Sequence, residues 1–300
     1  MEFSVTTRAK GLVAPSAAVE VIREALGKAL VPYYPLAGRL RVSDENELQI
    51  ACTGDGIWVV DALADCTLDD VNYLDDAMFI PYEKLLPPPP PQTDGVDPLV
   101  QIQVTQFGCD GFVMGLIFCH SICDGLGAAQ FLNAVGEMAR GVPAPTTPPS
   151  PSVPLPMSFP LLPDHQLEPA IIDVSTDEIE KLKREFRQRS GKNCSTFEPP
   201  LPEGFYGNCF FPVTVTAASR EVVAKDVFEV VELIKEGKAR LAEEFRKWAG
   251  KAGAQTGPDR FAPPLEYRTL FISEWGRLGS MEVDYGWGTR FMLFRFRGRA

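Results

Sequence analysis

Histidine is almost missing from this chain: His120 and His165 are the only two in 300 residues. Histidine-rich metal clusters are thereby excluded, and any imidazole chemistry falls on one of two positions. Basic charge is in deficit. Forty acidic residues face 29 lysines and arginines, a formal net charge of −11, so the basic face that a nucleic-acid partner requires is not expected. No window of about 18 uninterrupted apolar residues occurs, and no membrane span is expected. Met1-Glu2-Phe3-Ser4 lacks the charged and then apolar regions of a secretory leader. The seven cysteines, at 52, 66, 109, 119, 123, 194 and 209, are odd in number and follow no disulfide-framework spacing. Reduced thiols and a cytoplasmic location are the expectation. Phosphate-loop and serine-elbow motifs are also missing, and Gly125-Leu126-Gly127 lacks the third glycine and acidic partner of a dinucleotide fingerprint.

What is present fits a globular protein. Hydrophobic residues make up 45% and charged residues 23% of the chain, and 300 residues suffice for one large or two moderate cores. The most informative stretch is Ile117-Phe118-Cys119-His120-Ser121-Ile122-Cys123-Asp124-Gly125. The apolar run 112–118 before it reads as a buried strand. Leu126 to Leu132 after it reads as the start of a helix. His120 therefore stands where a strand ends, a position that holds a side chain rigidly at the edge of a cleft.

Along the chain, residues 2–7 read as a short strand and 18–30 as an amphipathic helix. Val31 to Leu40, with Pro32 and Pro35, reads as a helix stop and a packed aromatic turn. Thr53-Gly54-Asp55-Gly56 is a hairpin signal between strands at 47–52 and 57–62. Asp110-Gly111 is another, between strands at 98–107 and 111–119. A second helix covers 125–140. Ten prolines between Gly141 and Pro169 mark a linker that also holds His165. The expected division is an N-terminal domain at 1–141, a Pro-rich linker at 142–169 and a C-terminal domain at 170–300. The last contains strands at 170–174, 208–216 and 269–273, a helix over 177–189 behind the capping box Ser175/Glu178, and a long helix over 226–248. Interspersed strands and helices favour an α/β fold.

His120 has a structural reading, as a core residue, and a chemical one. No serine elbow accompanies it, and Cys123, three residues on, is no evidence of a working pair. The chemical role left is a general base acting on a substrate's own nucleophile. Cys119, His120 and Cys123 lack the further ligands of a metal site, and no metal is expected. Asp124 either orients His120 or caps the helix beginning at Gly125. The cap is preferred, because a short turn between the two side chains makes them diverge.

Four segments together resemble the BAHD family of plant acyl-CoA-dependent acyltransferases, with wording around His120 nearest its taxane- and benzyl-alcohol-acyltransferase-like branch. His120-Ser121-Ile122-Cys123-Asp124-Gly125 is similar to the family's His-x-x-x-Asp-Gly motif. Asp284-Tyr285-Gly286-Trp287-Gly288 is similar to its Asp-Phe-Gly-Trp-Gly motif, with tyrosine for phenylalanine. Tyr34 to Leu40 resembles its Tyr-Pro-x-Ala-Gly-Arg segment, and Phe205-Tyr206-Gly207-Asn208 its Tyr-Gly-Asn segment. The resemblance implies a two-domain fold like chloramphenicol acetyltransferase, here with an incomplete second domain. It implies acyl-CoA as co-substrate with no bound cofactor, a small-molecule alcohol or amine acceptor from plant secondary metabolism, and a monomer. His120 would take the acceptor's proton and later protonate the departing CoA thiolate. Asp124, Gly125 and the 284–288 element would be structural. The chain is shorter than the family usually is, with segments missing at junctions near Ser16, Glu198 and Thr289 and a tail after Gly288 that fits no family pattern. A relative that keeps His120 but has lost transfer is the alternative.

Overall fold

A computed structural model describes residues 3–7, 17–45, 48–74, 81–91, 97–150, 175–191, 203–208, 213–249, 270, 283–286 and 292–297. By contact the chain groups into two units interleaved along the sequence. The first comprises Met1–Leu155, Pro202–Cys209 and Ser273–Ala300, the second Pro156–Leu201 and Phe210–Ile272. The Pro-rich stretch at 142–169 thus spans the passage from the first unit to the second, and two later segments return to the first.

The first unit is built on a five-stranded sheet in the order β1-β4-β5-β6-β7: β1 is Val5–Thr7, β4 Trp58–Ala64, β5 Val100–Gln106, β6 Phe112–Cys119 and β7 Met292–Arg297. β5 and β6 form the expected hairpin, with Val100 opposite Phe118 and Gln106 opposite Phe112. Alternation then sorts their side chains between two faces. Val100, Ile102 and Val104 of β5 join Phe112, Met114, Leu116 and Phe118 of β6 under two helices, α1 (Ala17–Ala29) and α2 (Gly125–Ala139). On the other face Val113 packs with Phe3, Leu68, Leu85 and Phe107. That face also buries Gln103 and Thr105. The Gln103 amide is satisfied, since Nε2 donates to Lys84 O and Thr105 Oγ1, each at 2.9 Å. Gly115 has no side chain because the Leu85 carbonyl passes directly over it.

Two expectations fail here. The strands flanking Thr53-Gly54-Asp55-Gly56 do not pair with each other. β3 (Leu48–Ala51) pairs antiparallel with β2 (Arg39–Val42) in a separate two-stranded sheet, while β4 enters the main sheet, antiparallel to β1 and parallel to β5. The reason lies in β4. Val60 and Ala62 are buried in the sheet, an environment that a two-stranded hairpin cannot supply. The stretch after Val31 contains more than a turn: Tyr34–Ala37 is one 3-10 turn and Arg39 opens β2. Gly38 between them admits no Cβ, which would overlap the Ala51 carbonyl oxygen. The tail after Gly288 also has a place, as β7 runs parallel to β6 from Met114↔Met292 to Cys119↔Arg297.

The second unit contains α3 (Thr176–Ser190), α4 (Ser219–Ala224) and α5 (Val227–Ala249). The Ser175/Glu178 capping box forms as expected. A reciprocal cap starts α5: Asp226 Oδ1 accepts from Glu229 N at 2.9 Å and Glu229 Oε2 from Asp226 N at 3.0 Å. Arg189 of α3 lies 2.8 Å from Asp226 and 4.2 Å above the Phe228 ring. Of the described residues in this unit, Phe186 and Leu241 alone are buried hydrophobics. The strand expected over 208–216 is not formed at 213–216; Val213 and Val215 lie against α5 where Gly237 leaves room for them. Residues 170–174, 209–212, 269 and 271–273 lie outside the described residues, as does His165.

Three buried phenols give the first unit an alkaline limit. Burial pushes the hydroxyls of Tyr206 and Tyr285 far up. Burial also raises that of Tyr33, against a hydrogen bond from Gln130 that lowers it and with the Glu137 charge that raises it. An acid whose folded pKa is raised stabilises the fold in full below its unfolded value, about 10 for tyrosine. That contribution declines as pH climbs from there toward the folded value. Spectrophotometric titration is therefore expected to find at least three of the seven tyrosines, Tyr33, Tyr206 and Tyr285, ionising only together with unfolding, above about pH 10. Seven phenols titrating with the circular dichroism unchanged would refute this.

Candidate active site

His120 follows β6 directly, in a turn that reverses the chain into α2. Its ring is half-buried, with Nδ1 shielded from solvent. The turn is closed by backbone bonds: Cys119 N donates to Leu99 O at 2.9 Å and Ile122 N to Cys119 O at 3.1 Å. Cys123 points into the core, 1% exposed. Asp124 adopts an extended backbone and caps α2, its Oδ1 accepting from Leu126 N at 3.0 Å and Gly127 N at 3.1 Å. Such a cap contributes about 1 kcal/mol. Gly125, the first helical residue, is half-buried. Strand end and helix start thus form one rigid corner, with β6 sealed on the core side by Phe118 and α2 by Phe131, whose rings meet edge to face at 6.2 Å.

A segment remote in sequence covers this corner. Residues 203–208 cross the first turns of α2, where the Tyr206 carbonyl sits so close to Gly127 that a Cβ there would overlap it. Gln130 Nε2 donates to Gly204 O at 2.8 Å and to Tyr33 Oη at 3.0 Å. The Tyr206 ring stands edge-on to Tyr33, centroids 5.0 Å apart, and Tyr33 likewise meets Phe131 at 5.4 Å. Gly204, at φ 78°, has room for no side chain beneath the Pro148 carbonyl. At the end of the segment, Asn208 Nδ2 donates to the backbone oxygen of His120 at 2.9 Å. Two of the family-like segments, around Tyr34 and around Tyr206, therefore converge on the histidine corner. Nothing in the local sequence shows that Tyr33, Gln130 and Asn208 meet there; the family-like wording at 205–208 is a signal without a role until the chain folds.

The Asp284-Tyr285-Gly286 turn lies elsewhere. Arg140, just past the C-terminal end of α2, donates through Nη1 to the Asp284 carbonyl, and Gly136 makes room for the turn, since a Cβ would stand 2.7 Å from Asp284 O. Gly136 is about three helical turns, roughly 16 Å, along α2 from Gly125. Tyr285 is 1% exposed, its hydroxyl 3.7 Å from Met114 Sδ. Asp284 Oδ1 accepts from Gly286 N at 2.8 Å, and Gly286 has φ 99°, a region that favours glycine. Trp287 and Gly288 lie outside the described residues. A cavity of about 340 Å³ on the sheet face away from α1 and α2, lined in part by Val5, Pro87 and Ile117, is separate from His120. Among the described residues, no group of three or more His, Cys, Asp or Glu is placed to hold a metal ion.

The sequence model of the Transferase family matches residues 5–189 and 193–295. The chain belongs to this family, the BAHD acyltransferases. Acyl transferase 4 of Oryza sativa subsp. japonica is 40% identical over 95% of this chain and 77% of its own length. The 3'-N-debenzoyl-2'-deoxytaxol N-benzoyltransferase of Taxus canadensis is 32% identical over 90% of this chain and 72% of its own. Among solved structures, F. sporotrichioides TRI101 complexed with coenzyme A and T-2 shares the fold, with a TM-score of 0.58 and 14% identity over 96% of this chain and 83% of that one. The BAHD match extends to residue 295, within β7, and so into the tail that had fitted no family pattern. The alignment with Acyl transferase 4 runs over 343 positions, more than the 300 residues of this chain. Internal segments of that BAHD relative are therefore absent here. The junctions near Ser16, Glu198 and Thr289 fall outside the described residues.

Proposed function

We propose that this BAHD acyltransferase moves an acyl group from acyl-CoA to the hydroxyl or amine of a small plant metabolite, with His120 as general base. The observation that carries the reading is the corner itself: an imidazole held at a strand end, braced by a capped helix and by a side-chain bond to its own carbonyl. With Nδ1 buried, Nε2 is the nitrogen left to exchange a proton. It takes the proton of the acceptor O–H or N–H as that oxygen or nitrogen attacks the thioester carbonyl. When the C–S bond breaks, the same nitrogen returns the proton to the CoA sulfur. Positioned proton transfer of this kind contributes about 10²- to 10⁴-fold in rate. The coenzyme A in the TRI101 structure and the N-benzoyl transfer named for the Taxus relative support the donor class and an amine as one acceptor class.

A second reading has its own support. Missing internal segments and a second unit with few buried hydrophobics among its described residues favour a relative that keeps His120 but cannot hold both substrates. The deciding experiment offers acetyl-, benzoyl- and hydroxycinnamoyl-CoA with benzyl alcohol, hydroxycinnamoyl acceptors and polyamines, reading free CoA and product mass. Acceptor-dependent CoA release with a product heavier by the acyl group is expected. Soluble, folded protein that acylates no acceptor would establish the impaired relative instead.

A further inference from the structure

We propose that Asn208 is the positioning residue for His120, a step that rests on His120 being the base and says how its ring is held. The bond from Asn208 Nδ2 to His120 O, at 2.9 Å, joins residues 88 apart in sequence. It acts on the backbone of the turn rather than on the ring, so it sets where the imidazole stands without using either ring nitrogen. Proton transfer is sensitive to this placement, because a displacement of about 1 Å can cost 100-fold in rate.

Two observations separate positioning from plain stability. The 203–208 segment is anchored without the Asn208 side chain: Gly204 O accepts from Gln130 Nε2 and from Ser150 N, each at 2.8 Å, and Tyr206 is 5% exposed against Tyr33. Asn208 also leaves its own Oδ1 buried with no hydrogen-bond partner among the described residues. An orphaned buried carbonyl is a cost to folding. A side chain selected for stability alone would not leave one, whereas a side chain needed for its amide N–H accepts it.

The test compares wild type with Asn208→Ala and Asn208→Asp. Alanine removes the donor and the orphaned carbonyl together. Aspartate keeps the shape but offers only acceptors to the His120 carbonyl. The melting temperature of the alanine variant is expected to stay within about 2 °C of wild type, because the lost bond and the relieved orphan offset each other. Its kcat is expected to fall about 10- to 100-fold with KM for both substrates nearly unchanged, and aspartate is expected to be at least as damaging. A second readout needs no turnover. With only two histidines in the chain, and His165→Gln to assign them, NMR of the imidazole resonances follows His120 directly. Both Asn208 variants are expected to move its ring shifts. Moved His120 signals in a protein without wild-type turnover would uphold the positioning and overturn the catalytic reading. An active wild type whose alanine variant matches it in kcat and in the His120 ring shifts would overturn the positioning alone. A large fall in melting temperature with unchanged His120 signals would reduce Asn208 to a structural residue.

Discussion

Replacing His120 with alanine is expected to lower acceptor-dependent CoA release by roughly 10²- to 10⁴-fold, the worth of a positioned proton carrier. The fold should survive it. The histidine is half-buried, whereas the corner around it is held by the Asp124 cap, the Phe118–Phe131 contact and the backbone bonds of the turn. Stability is therefore expected to change by no more than about 1 kcal/mol, as for other substitutions outside the packed core. Glutamine at the same position keeps a polar side chain that cannot carry a proton near neutral pH, and should be as inactive as alanine. Paired measurements of CoA release and thermal unfolding decide the matter. An alanine variant with wild-type turnover would remove His120 from the chemistry. One that loses turnover only by unfolding would pass the decision to the glutamine variant, which preserves more of the packing.

The second large effect is expected at Gly127. A valine there would drive its Cβ into the Tyr206 carbonyl oxygen, 2.7 Å from the Tyr206 carbonyl carbon and 2.9 Å from Cys123 Cβ. Backbone cannot rotate away as a flexible side chain can, so the 203–208 segment must lift from α2. Lifting it breaks the Gln130–Gly204 bond, the Tyr33–Tyr206 ring contact and the Asn208–His120 bond together. Overpacking of this kind costs about 1–3 kcal/mol, and in a unit of this size each kcal/mol lowers Tm by roughly 2–4 °C. Gly27→Ala in α1 is the control with the opposite sign. A Cβ at Gly27 meets nothing within 4 Å, and alanine is favoured over glycine in a helix interior by about 1 kcal/mol. Calorimetry of the two variants should place their melting temperatures on opposite sides of wild type. Equal values would mean that the close approach at Gly127 does not hold the segment down.

Features written in a few neighbouring residues are legible in the sequence by itself. The Ser175/Glu178 box and the Asp124 cap each satisfy backbone donors two or three positions away, so helix starts at 125 and 176 follow from local chemistry. The β5–β6 hairpin is of the same kind, because Asp110, at φ 62°, turns the chain between two adjacent strands. Partner choice among separated strands is not local. Thr53-Gly54-Asp55-Gly56 carries every mark of a hairpin turn, yet β3 and β4 go to different sheets because β4 buries Val60 and Ala62 in the five-stranded sheet, leaving β3 to pair with β2. β7 is illegible for a related reason: nothing in Met292–Arg297 names β6 as its partner. At the site, His120 and Asp124 stand out by their place between a strand and a helix. Asn208 cannot, since only folding brings it to the His120 carbonyl.

The parallel pairing of β6 with β7 carries a consequence for how this protein is made. β6 ends at residue 119, and its second neighbour begins at residue 292, with the whole of the second unit between them. Closing so long a span costs chain entropy that the β5–β6 hairpin never faces, and pairings of high contact order form slowly. At about 5–20 residues per second of synthesis, the edge of the strand that leads to His120 stays bare for roughly 10–35 s on the ribosome. A bare strand edge is a template for neighbouring chains. The interval between synthesis of residue 119 and residue 297 is when nascent chains are most exposed to one another. Slower translation lengthens that interval, and holdase chaperones that shield the edge through it should raise the yield of soluble protein.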